Sequence, residues 1–184
     1  MANIDIDSYR ANFNGGARAF MFYYKPIFPT QISGIGIDTD SATYLVRATS
    51  LPETSTEEIV TNWQGFDFKF AGKYTYTDWT VTFNCDSKAD IQQIFHEWAN
   101  LVHDPTSNYY TDPSIYMQDQ EVQLIGTDGA PIQRYKLYGA WPKTVGSATL
   151  DYSNNDVVQF DISFAYIYHV TSKVNYSVMP SFAG

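Results

Sequence analysis

The sequence predicts a mainly β protein: an antiparallel sandwich or barrel of about eight or nine strands, with one packed α-helix at about residues 87–103. Three observations support this class. Apolar and polar residues alternate along several short segments, as they do in half-buried strands. Aromatic residues, which favour strands and interfaces, make up 17% of the 184 residues. One segment alone shows the apolar spacing of an amphipathic helix.

The first fifty residues predict two strands and a flexible start. Residues 1–17 are expected to form an N-terminal arm that hinges at Asn14-Gly15-Gly16. In residues 20–24, Phe20, Phe22 and Tyr24 alternate with Met21 and Tyr23, which places aromatic residues on both faces of a strand. We therefore expect protein to cover both faces of this strand. Residues 30–42 indicate a loop, and a second strand at 44–48 stops before Pro52.

A hairpin is the clearest feature of the next segment. Residues 53–58 are polar and acidic, which indicates an exposed loop or hairpin tip. Residues 59–63 and 66–70 can pair around Gln64-Gly65, with an apolar face built by Phe66, Phe68 and Phe70. Gly72 is expected to end that strand, and residues 79–83 predict a half-buried strand.

The predicted helix follows directly. Its apolar positions repeat at the i, i+3, i+4, i+7 spacing from Ile91 to Val102. Ser87, three residues before Asp90, resembles the start of a capping box, and Pro105 lies just past the end.

The second half of the chain predicts more strands. The segments are a loop at 104–120, strands at 122–124, 134–141 and 149–152, and the longest strand at 158–168. Trp141-Pro142 is expected to close the second of these strands. Residues 171–184 are expected to form a C-terminal arm, and 1–184 a single domain.

Composition excludes several classes of protein. The formal net charge of −9 argues against ordinary duplex DNA binding, which needs basic side chains. Cys85 is the single cysteine, so no intrachain disulfide is expected. The N-terminus lacks the pattern of a signal peptide, and no run approaches the roughly 18 apolar residues of a membrane helix.

The sequence predicts no enzyme, no metal site and no cofactor. His96-Glu97 lacks a histidine four residues on, and His103 is nearly two helical turns away. Asp38 and Asp40 begin like a calcium loop that then fails. The Asp and Asn residues at 151–156 are explained by turn formation. Cys85 has no basic neighbour in the sequence to activate it.

Five short stretches, in order, resemble the tail tube proteins of contractile-tailed bacteriophages. They are Phe13-Asn14-Gly15-Gly16-Ala17-Arg18, Ala48-Thr49-Ser50-Leu51-Pro52, Tyr76-Thr77-Asp78-Trp79-Thr80-Val81-Thr82, Gly139-Ala140-Trp141-Pro142 and Leu150-Asp151-Tyr152-Ser153-Asn154-Asn155-Asp156. The resemblance spans roughly residues 13–168, the region that contains the predicted strands and helix. Segments 26–42, 104–120 and 171–184 are longer than in compact members of the family.

The resemblance implies a fold, an assembly and its partners. The fold is that of type VI secretion and contractile injection system tubes. Six subunits would form a ring, and rings would stack into a hollow tube inside a sheath. The implied partners are other copies of the chain, the tail sheath protein, and baseplate and tail terminator proteins. Genomic DNA would pass through the lumen without specific binding, in a virion tail assembled in the cytoplasm of the host bacterium.

Two surfaces are candidates within this assembly. Polar strand positions that could line the lumen are Thr80, Thr82, Asp161 and Ser163. Residues in the 53–63 segment that could contact a stacked ring are Glu53, Glu57, Glu58, Ile59 and Trp63. The family-like positions expected to be structural are Gly15, Gly16, Arg18, Pro52, Asp78, Trp79, Trp141, Pro142, Asp151, Asn154 and Asn155.

Three alternatives remain open at this point. The chain could be the inner tube of a phage-derived contractile injection system, or a baseplate tube initiator that shares the fold. It could also be a carbohydrate-binding virion β-sandwich, which would present exposed Trp and Tyr in a groove. Trp79 and Trp98 fall on apolar faces, which weighs against that last alternative, whereas Trp63 and Trp141 are less constrained.

Overall fold

The computed structural model describes residues 6–13, 16–32, 38–148 and 150–174. The strands are β1 Phe22–Tyr24, β2 Val46–Thr49, β3 Thr54–Trp63, β4 Phe66–Tyr76, β5 Trp79–Asn84, β6 Gln118–Ile125, β7 Pro131–Val145, β8 Gln159–Ala165 and β9 Tyr168–Lys173. The helices are α1 Ile6–Phe13, α2 Thr39–Thr43, α3 Asp90–Val102 and α4 Pro113–Tyr116. The predicted mainly β class is confirmed, and α3 is the predicted helix.

Strand β7 belongs to both layers of a sandwich-like body. Its residues 133–138 pair with β9, in the sheet that also contains β6 and β1. Its residues 141–145 pair with β8, in the sheet that continues through β5 to β2. Every one of these pairings is antiparallel, and β3 and β4 form a separate two-stranded sheet.

The core lies on the inner face of β5 and β8 and is covered by α3. Alternate residues of the two strands are fully or almost fully buried: Trp79, Val81, Phe83, Phe160, Ile162 and Phe164. Helix α3 adds Ile91, Ile94, Phe95 and Trp98, all with no exposed surface. The Phe95 ring lies 5.0 Å from that of Phe83. Each such side chain contributes roughly 1.5–3 kcal/mol by leaving water.

The start of α3 differs from the predicted capping box. Ala89 occupies the N-cap position with φ 58°, and no side chain caps the helix from there. Asp86 supplies the acceptors instead: its carboxylate accepts hydrogen bonds from the backbone N–H groups of Lys88 and Ile91. The Ser87 prediction is wrong because Asp86, one residue earlier, supplies the acceptor for a free N–H group of the first helical turn, that of Ile91.

A buried glutamine fixes the segment that follows β1. Gln120 of β6 has no exposed surface. Its Oε1 accepts hydrogen bonds from the Tyr24 hydroxyl at 2.8 Å and the Ile27 N–H at 3.1 Å, and its Nε2 donates to the Ile27 carbonyl. Burial raises the pKa of Tyr24 well above its usual value, so the phenol stays protonated and keeps donating.

Several predicted boundaries are wrong because strands pair beyond them. Residues 54–58 belong to β3 and not to a loop, and β4 continues through Gly72 to Tyr76. Strand β7 continues through Pro142, where the register shifts and a missing N–H is tolerated. The predicted strand 158–168 divides into β8 and β9, which pair with different parts of β7.

The predicted loops and arms contain regular structure. Segment 30–42 includes the start of α2, and segment 104–120 includes α4 and the start of β6. The N-terminal arm carries α1, and residues 171–173 of the C-terminal arm belong to β9. Residues 150–152 form no strand, and Thr149 lies outside the described residues, as do residues 175–184 of the predicted arm.

The strand β1 is only partly covered within one chain. Tyr24 is buried, but Tyr23 on the other face is 44% exposed, and Phe20 before the strand is 78% exposed. The expectation that protein covers both faces is therefore not met by the chain alone.

Candidate assembly surfaces

The β3–β4 hairpin extends from the body as a two-stranded sheet. Every residue of β3 is exposed. The strands reverse at Gln64-Gly65, whose φ angles of 51° and 85° are the left-handed values of a two-residue hairpin turn. The predicted hairpin around these two residues is confirmed, with Trp63 opposite Phe66. An isolated two-stranded sheet is marginal in water, so its exposed faces favour a partner.

One face of the hairpin is apolar. Residues directly opposite each other on paired strands share a face, and here Ile59 pairs with Phe70 and Trp63 pairs with Phe66. Phe68, opposite Thr61, lies between them. The exposed fractions are 55% for Ile59, 62% for Trp63, 71% for Phe66, 47% for Phe68 and 58% for Phe70. We call these five residues the apolar face of the hairpin.

The opposite face of the hairpin is polar. Lys69 Nζ forms an ion pair with Glu58 Oε1 at 2.9 Å, and Asn62 Nδ2 donates to Asp67 Oδ1 at 2.8 Å. Val60 and Ala71 are the apolar exceptions on this side. The two faces therefore suit different surroundings: water on one side and an apolar surface on the other.

An irregularity divides the hairpin into a base and a tip. The register shifts between Thr56 and Glu58, and Gly72 lies opposite this shift. A Cβ atom on Gly72 would lie 3.0 Å from the Glu57 carbonyl oxygen. Gly72 thus allows β4 to approach β3 closely at a bulge. The glycine was expected to end the strand, but β4 continues beyond it.

The base of the hairpin contacts β9 and the residues just before it. Thr54, the first residue of β3, lies with its Oγ1 3.2 Å from His169 Nε2. Tyr76, the last residue of β4, has its ring 5.4 Å from the His169 ring and 5.8 Å from the Tyr166 ring. These contacts set the direction in which the hairpin leaves the body.

The five residues predicted to contact a stacked ring do not share one face. All are exposed, but Ile59 and Trp63 lie on the apolar face whereas Glu58 lies on the polar face. Glu57 lies opposite the bulge of β4, and Glu53 precedes the strand. The prediction omitted the three phenylalanines at 66, 68 and 70, although their alternation in the sequence was the available signal. Contact with a ring stays a prediction.

The four polar positions predicted for the lumen form one continuous strip. Thr80 pairs with Ser163 and Thr82 with Asp161 in the β5–β8 register. The Thr82 hydroxyl donates to Asp161 Oδ1 at 2.6 Å. The strip lies on the face opposite the core, because successive residues of a strand point to opposite sides. Whether this strip lines a lumen stays a prediction.

Of the family-like residues of the first half, Gly16, Pro52 and Trp79 have close or buried surroundings. Gly16 has φ 62°, and a Cβ there would lie 2.7 Å from the Phe13 ring. Arg18 is exposed, and Pro52 is buried. The Trp79 indole N–H donates to the Ser50 carbonyl at 2.7 Å, which joins β5 to the end of β2. Gly15 lies outside the described residues.

Of the other family-like residues, Asp78 contacts β7, and Asp151 and Asn154 form turn hydrogen bonds. Lys143 of β7 forms an ion pair with Asp78 at 2.7 Å. Trp141 is half-buried against Tyr116, and Pro142 is buried. The Asp151 carboxylate accepts from the Ser153 N–H and hydroxyl, which lowers the pKa of Asp151. Asn154 Oδ1 accepts from the Asp156 N–H, and Asn155 is exposed beside it.

A cleft of about 950 Å³ lies beside the 150–158 segment. Arg47 and Asn84 line one side, and Asp151 and Tyr152 line the other. The carbohydrate-binding alternative needs Trp and Tyr in such a groove, but Trp79 and Trp98 are buried in the core. The cleft therefore supplies only part of what that alternative predicts.

The described residues offer little for catalysis. Among them, no group of three or more His, Cys, Asp or Glu side chains is placed to hold a metal ion. Burial, with a smaller contribution from Asp86, raises the pKa of the Cys85 thiol and so disfavours its reactive thiolate. Among the described helices, none has both the length and the apolar character needed to cross a membrane.

Comparison with known proteins gives a consistent result. The family model described as phage tail tube protein matches residues 20–172. The chain is 30% identical over 146 residues to the tail tube protein gp19 of Enterobacteria phage T4, covering 77% of this chain and 87% of that protein. The tail tube protein gp19 of Enterobacteria phage T6 matches equally well.

Solved structures of contractile systems share the fold. The sheath/tube terminator structure of the PVC extracellular contractile injection system matches with a TM-score of 0.63 at 15% identity, over 84% of this chain and 95% of that one. The anti-feeding prophage baseplate structure matches with a TM-score of 0.63 at 12% identity, over 87% of this chain and 97% of that one. The PVC sheath-tube complex matches with a TM-score of 0.60 at 14% identity, over 92% of this chain and 99% of that one. With the family match across most of the sandwich, the chain belongs to the phage tail tube proteins, structural components of a virion tail.

Proposed function

We propose that this chain assembles into six-membered rings that stack into a hollow tube, with the apolar face of the hairpin bound to a subunit of the next ring. The observation that carries the proposal is that face: five exposed apolar side chains on one side of a sheet that projects from the body. Soluble monomers rarely leave such a contiguous apolar patch in water. In a tube, a second copy of the chain covers it.

The open strand edges support the formation of rings. In the described chain, β1, β2 and β9 each pair on one side only. An exposed strand edge is a template for pairing with another chain. Neighbouring subunits that join their sheets into one continuous inner barrel use these edges and leave few free. Six subunits per ring is the number implied by the family.

The charge supports passage of DNA without adhesion. The polar strip of Thr80, Thr82, Asp161 and Ser163 lines the lumen in this proposal, and each of the six subunits carries a net charge of −9. Phosphates that meet like charge are not held, so the genome slides through. Acidity also serves solubility, and substitutions in the strip separate the two roles.

The arms and partners complete the assembly. Residues 1–184 act as one tube domain, and α1 presents Ile6, Tyr9 and Phe13 from one exposed side for contact with neighbours. The relatives of known structure come from a sheath-tube complex, a baseplate and a tube terminator. By analogy, we infer that this tube meets a sheath, a baseplate and a terminator. The family role is structural and non-enzymatic.

Two related roles are separated by context and by assembly behaviour. Capsid and terminase genes beside this gene favour a phage tail over an injection device that delivers protein. A main tube protein forms long tubes, whereas a baseplate initiator supplies the first ring on a template.

Electron microscopy of the purified protein across concentrations tests the proposal. Rings or hollow tubes with six-fold averages are the expected result. A monomer that stays dispersed at every concentration, and that also fails to assemble with baseplate and sheath proteins, would refute it. In that case glycan binding at the cleft beside Tyr152 becomes the next hypothesis to test.

A further inference from the structure

His169 of β9 lies at the junction between the hairpin and the body. Its Nε2 is 3.2 Å from the Thr54 hydroxyl, at the start of β3. Its ring meets the Tyr76 ring edge-on at 5.4 Å, at the end of β4. In the pairing of β9 with β7, His169 lies opposite Leu137, and Leu137 belongs to the core. A single side chain of the body therefore contacts both strands of the hairpin at its base.

The surroundings of His169 favour a neutral imidazole. The rings of Tyr135 and Tyr166 lie 6.4 Å and 5.9 Å away on the body side. His169 Nδ1 and the Tyr166 hydroxyl are both buried without a hydrogen-bond partner among the described residues. A protonated ring would carry a charge and a second N–H donor into this aromatic site, where neither is compensated. Burial accordingly lowers the pKa of His169.

The other titratable groups around this site are three phenols and two carboxyls. Burial, with smaller contributions from Tyr76, Asp78 and Glu53, raises the pKa of Tyr166 to about 12. Asp78 is paired with Lys143. Glu53 precedes Thr54 and is exposed. Tyr76 and Tyr135 are phenols, and His169 is the one imidazole in this cluster of described residues; imidazole is the side chain whose ordinary pKa lies near neutrality.

We propose that His169 is a positioning residue: in its neutral form it holds the base of the hairpin against the body, and its protonation releases that base. The direction of the apolar face is then no longer fixed. The consequence for stacking rests on the proposed function, whereas the release itself does not.

The direction of the pH effect follows from linkage. The anchored form has a lowered pKa and the released form has the ordinary value near 6.5, so the released form binds more protons. Anchoring is therefore fully favoured above about pH 6.5 and is lost as the pH falls below it. Each further pH unit shifts the equilibrium toward release by up to about tenfold, until the lowered pKa is reached.

Hydrogen exchange of the hairpin amides tests the release in a dispersed protein. Exchange is measured at pH 7.5 and 5.5, corrected for intrinsic rates, in a Phe68→Thr background that weakens self-association. We expect protection at the hairpin base, residues 54–56 and 74–76, to fall at pH 5.5 by up to about tenfold, and this fall to be absent in His169→Phe. His169→Asn serves as a second neutral variant if His169→Phe does not fold.

His96 is the matched control, because it is exposed on α3. His96→Phe should keep the full pH response of the hairpin base. Equal protection at both pH values, or the same fall in both neutral His169 variants, would overturn the proposal. Histidine titration by NMR adds a direct readout, since the chain has three histidines and that of residue 169 should have the lowest midpoint.

Assembly separates this inference from the proposed function. The critical concentration for tube formation should rise on acidification more in the unmodified protein than in His169→Phe. If the base is released but the critical concentration rises equally in the unmodified protein and in His169→Phe, the positioning role is supported and the stacking role of the hairpin is contradicted. Normal tube formation at pH 7.5, together with a hairpin base that stays protected at pH 5.5 in the dispersed protein, contradicts the positioning role alone.

Discussion

Replacing Phe68 by threonine should weaken stacking without unfolding the protein. Phe68 lies at the centre of the apolar face and is 47% exposed. A phenylalanine side chain offers roughly 200 Å², so about 90 Å² remains to be covered by a neighbouring subunit. At about 25 cal/mol per Å², that burial contributes about 2 kcal/mol. Loss of most of it lowers the association constant by about 30-fold.

The critical concentration of assembly is the quantity to measure. Pelleting across a concentration series should show a rise of about 30-fold for Phe68→Thr. The free energy of unfolding should change by less than about 0.5 kcal/mol, because the hairpin contributes little to the core. Electron microscopy of the pellet confirms that tubes, and not aggregates, are counted.

Lys69→Thr is the matched control for this change. It places the same residue one position along the same strand, on the polar face. It removes an exposed ion pair with Glu58, which contributes at most about 1 kcal/mol. The role assigned to the apolar face would be refuted if the critical concentration rose less than threefold for Phe68→Thr, or if it rose equally for both variants.

Substitutions at three further positions test the core and the polar strip. Gln120→Leu should lower the free energy of unfolding by about 2–3 kcal/mol in urea denaturation, because the Tyr24 hydroxyl and the Ile27 backbone lose their buried partner. Trp98→Ala should cost about 3–5 kcal/mol in the same assay, because it leaves a cavity beside α3 and removes the hydrogen bond to the Tyr116 carbonyl. Asp161→Lys should slow genome ejection from phage that carry it, as followed by dye-labelled DNA release, with Asp161→Asn giving a smaller effect. If Asp161→Lys tubes assemble normally and the rate of DNA ejection is unchanged, the polar strip does not line the lumen.

The parts of the fold that could be predicted are those with a strong local pattern. Strand β5 buries Trp79, Val81 and Phe83 on one face, and the period-2 alternation of these residues is visible in the sequence. The buried positions of α3 follow the 3.6-residue period equally clearly. In both cases one face of a single element is buried, so local periodicity carries the information.

The parts that could not be predicted depend on pairing between distant segments. Pro142 ends a strand by every local rule, yet β7 continues through it because β8 pairs there. Gly139, with φ 61°, lies close to Ile167 where β7 passes from one sheet to the other. The division of segment 158–168 into β8 and β9 is the counterpart of that crossing. Single-sequence patterns do not show which strand a residue will face.

The hairpin shows a deeper limit of the same kind. Phe66, Phe68 and Phe70 alternate with polar residues just as Phe160, Ile162 and Phe164 do. The second set is buried beneath α3, and the first set is exposed on a sheet that packs against little else in its own chain. Alternation reports that a face must leave water, and it does not report whose surface covers it. A strand that completes its own core and a strand that waits for another subunit therefore look alike in sequence. The exposed apolar face becomes evidence for assembly only once the body is seen to be complete without it.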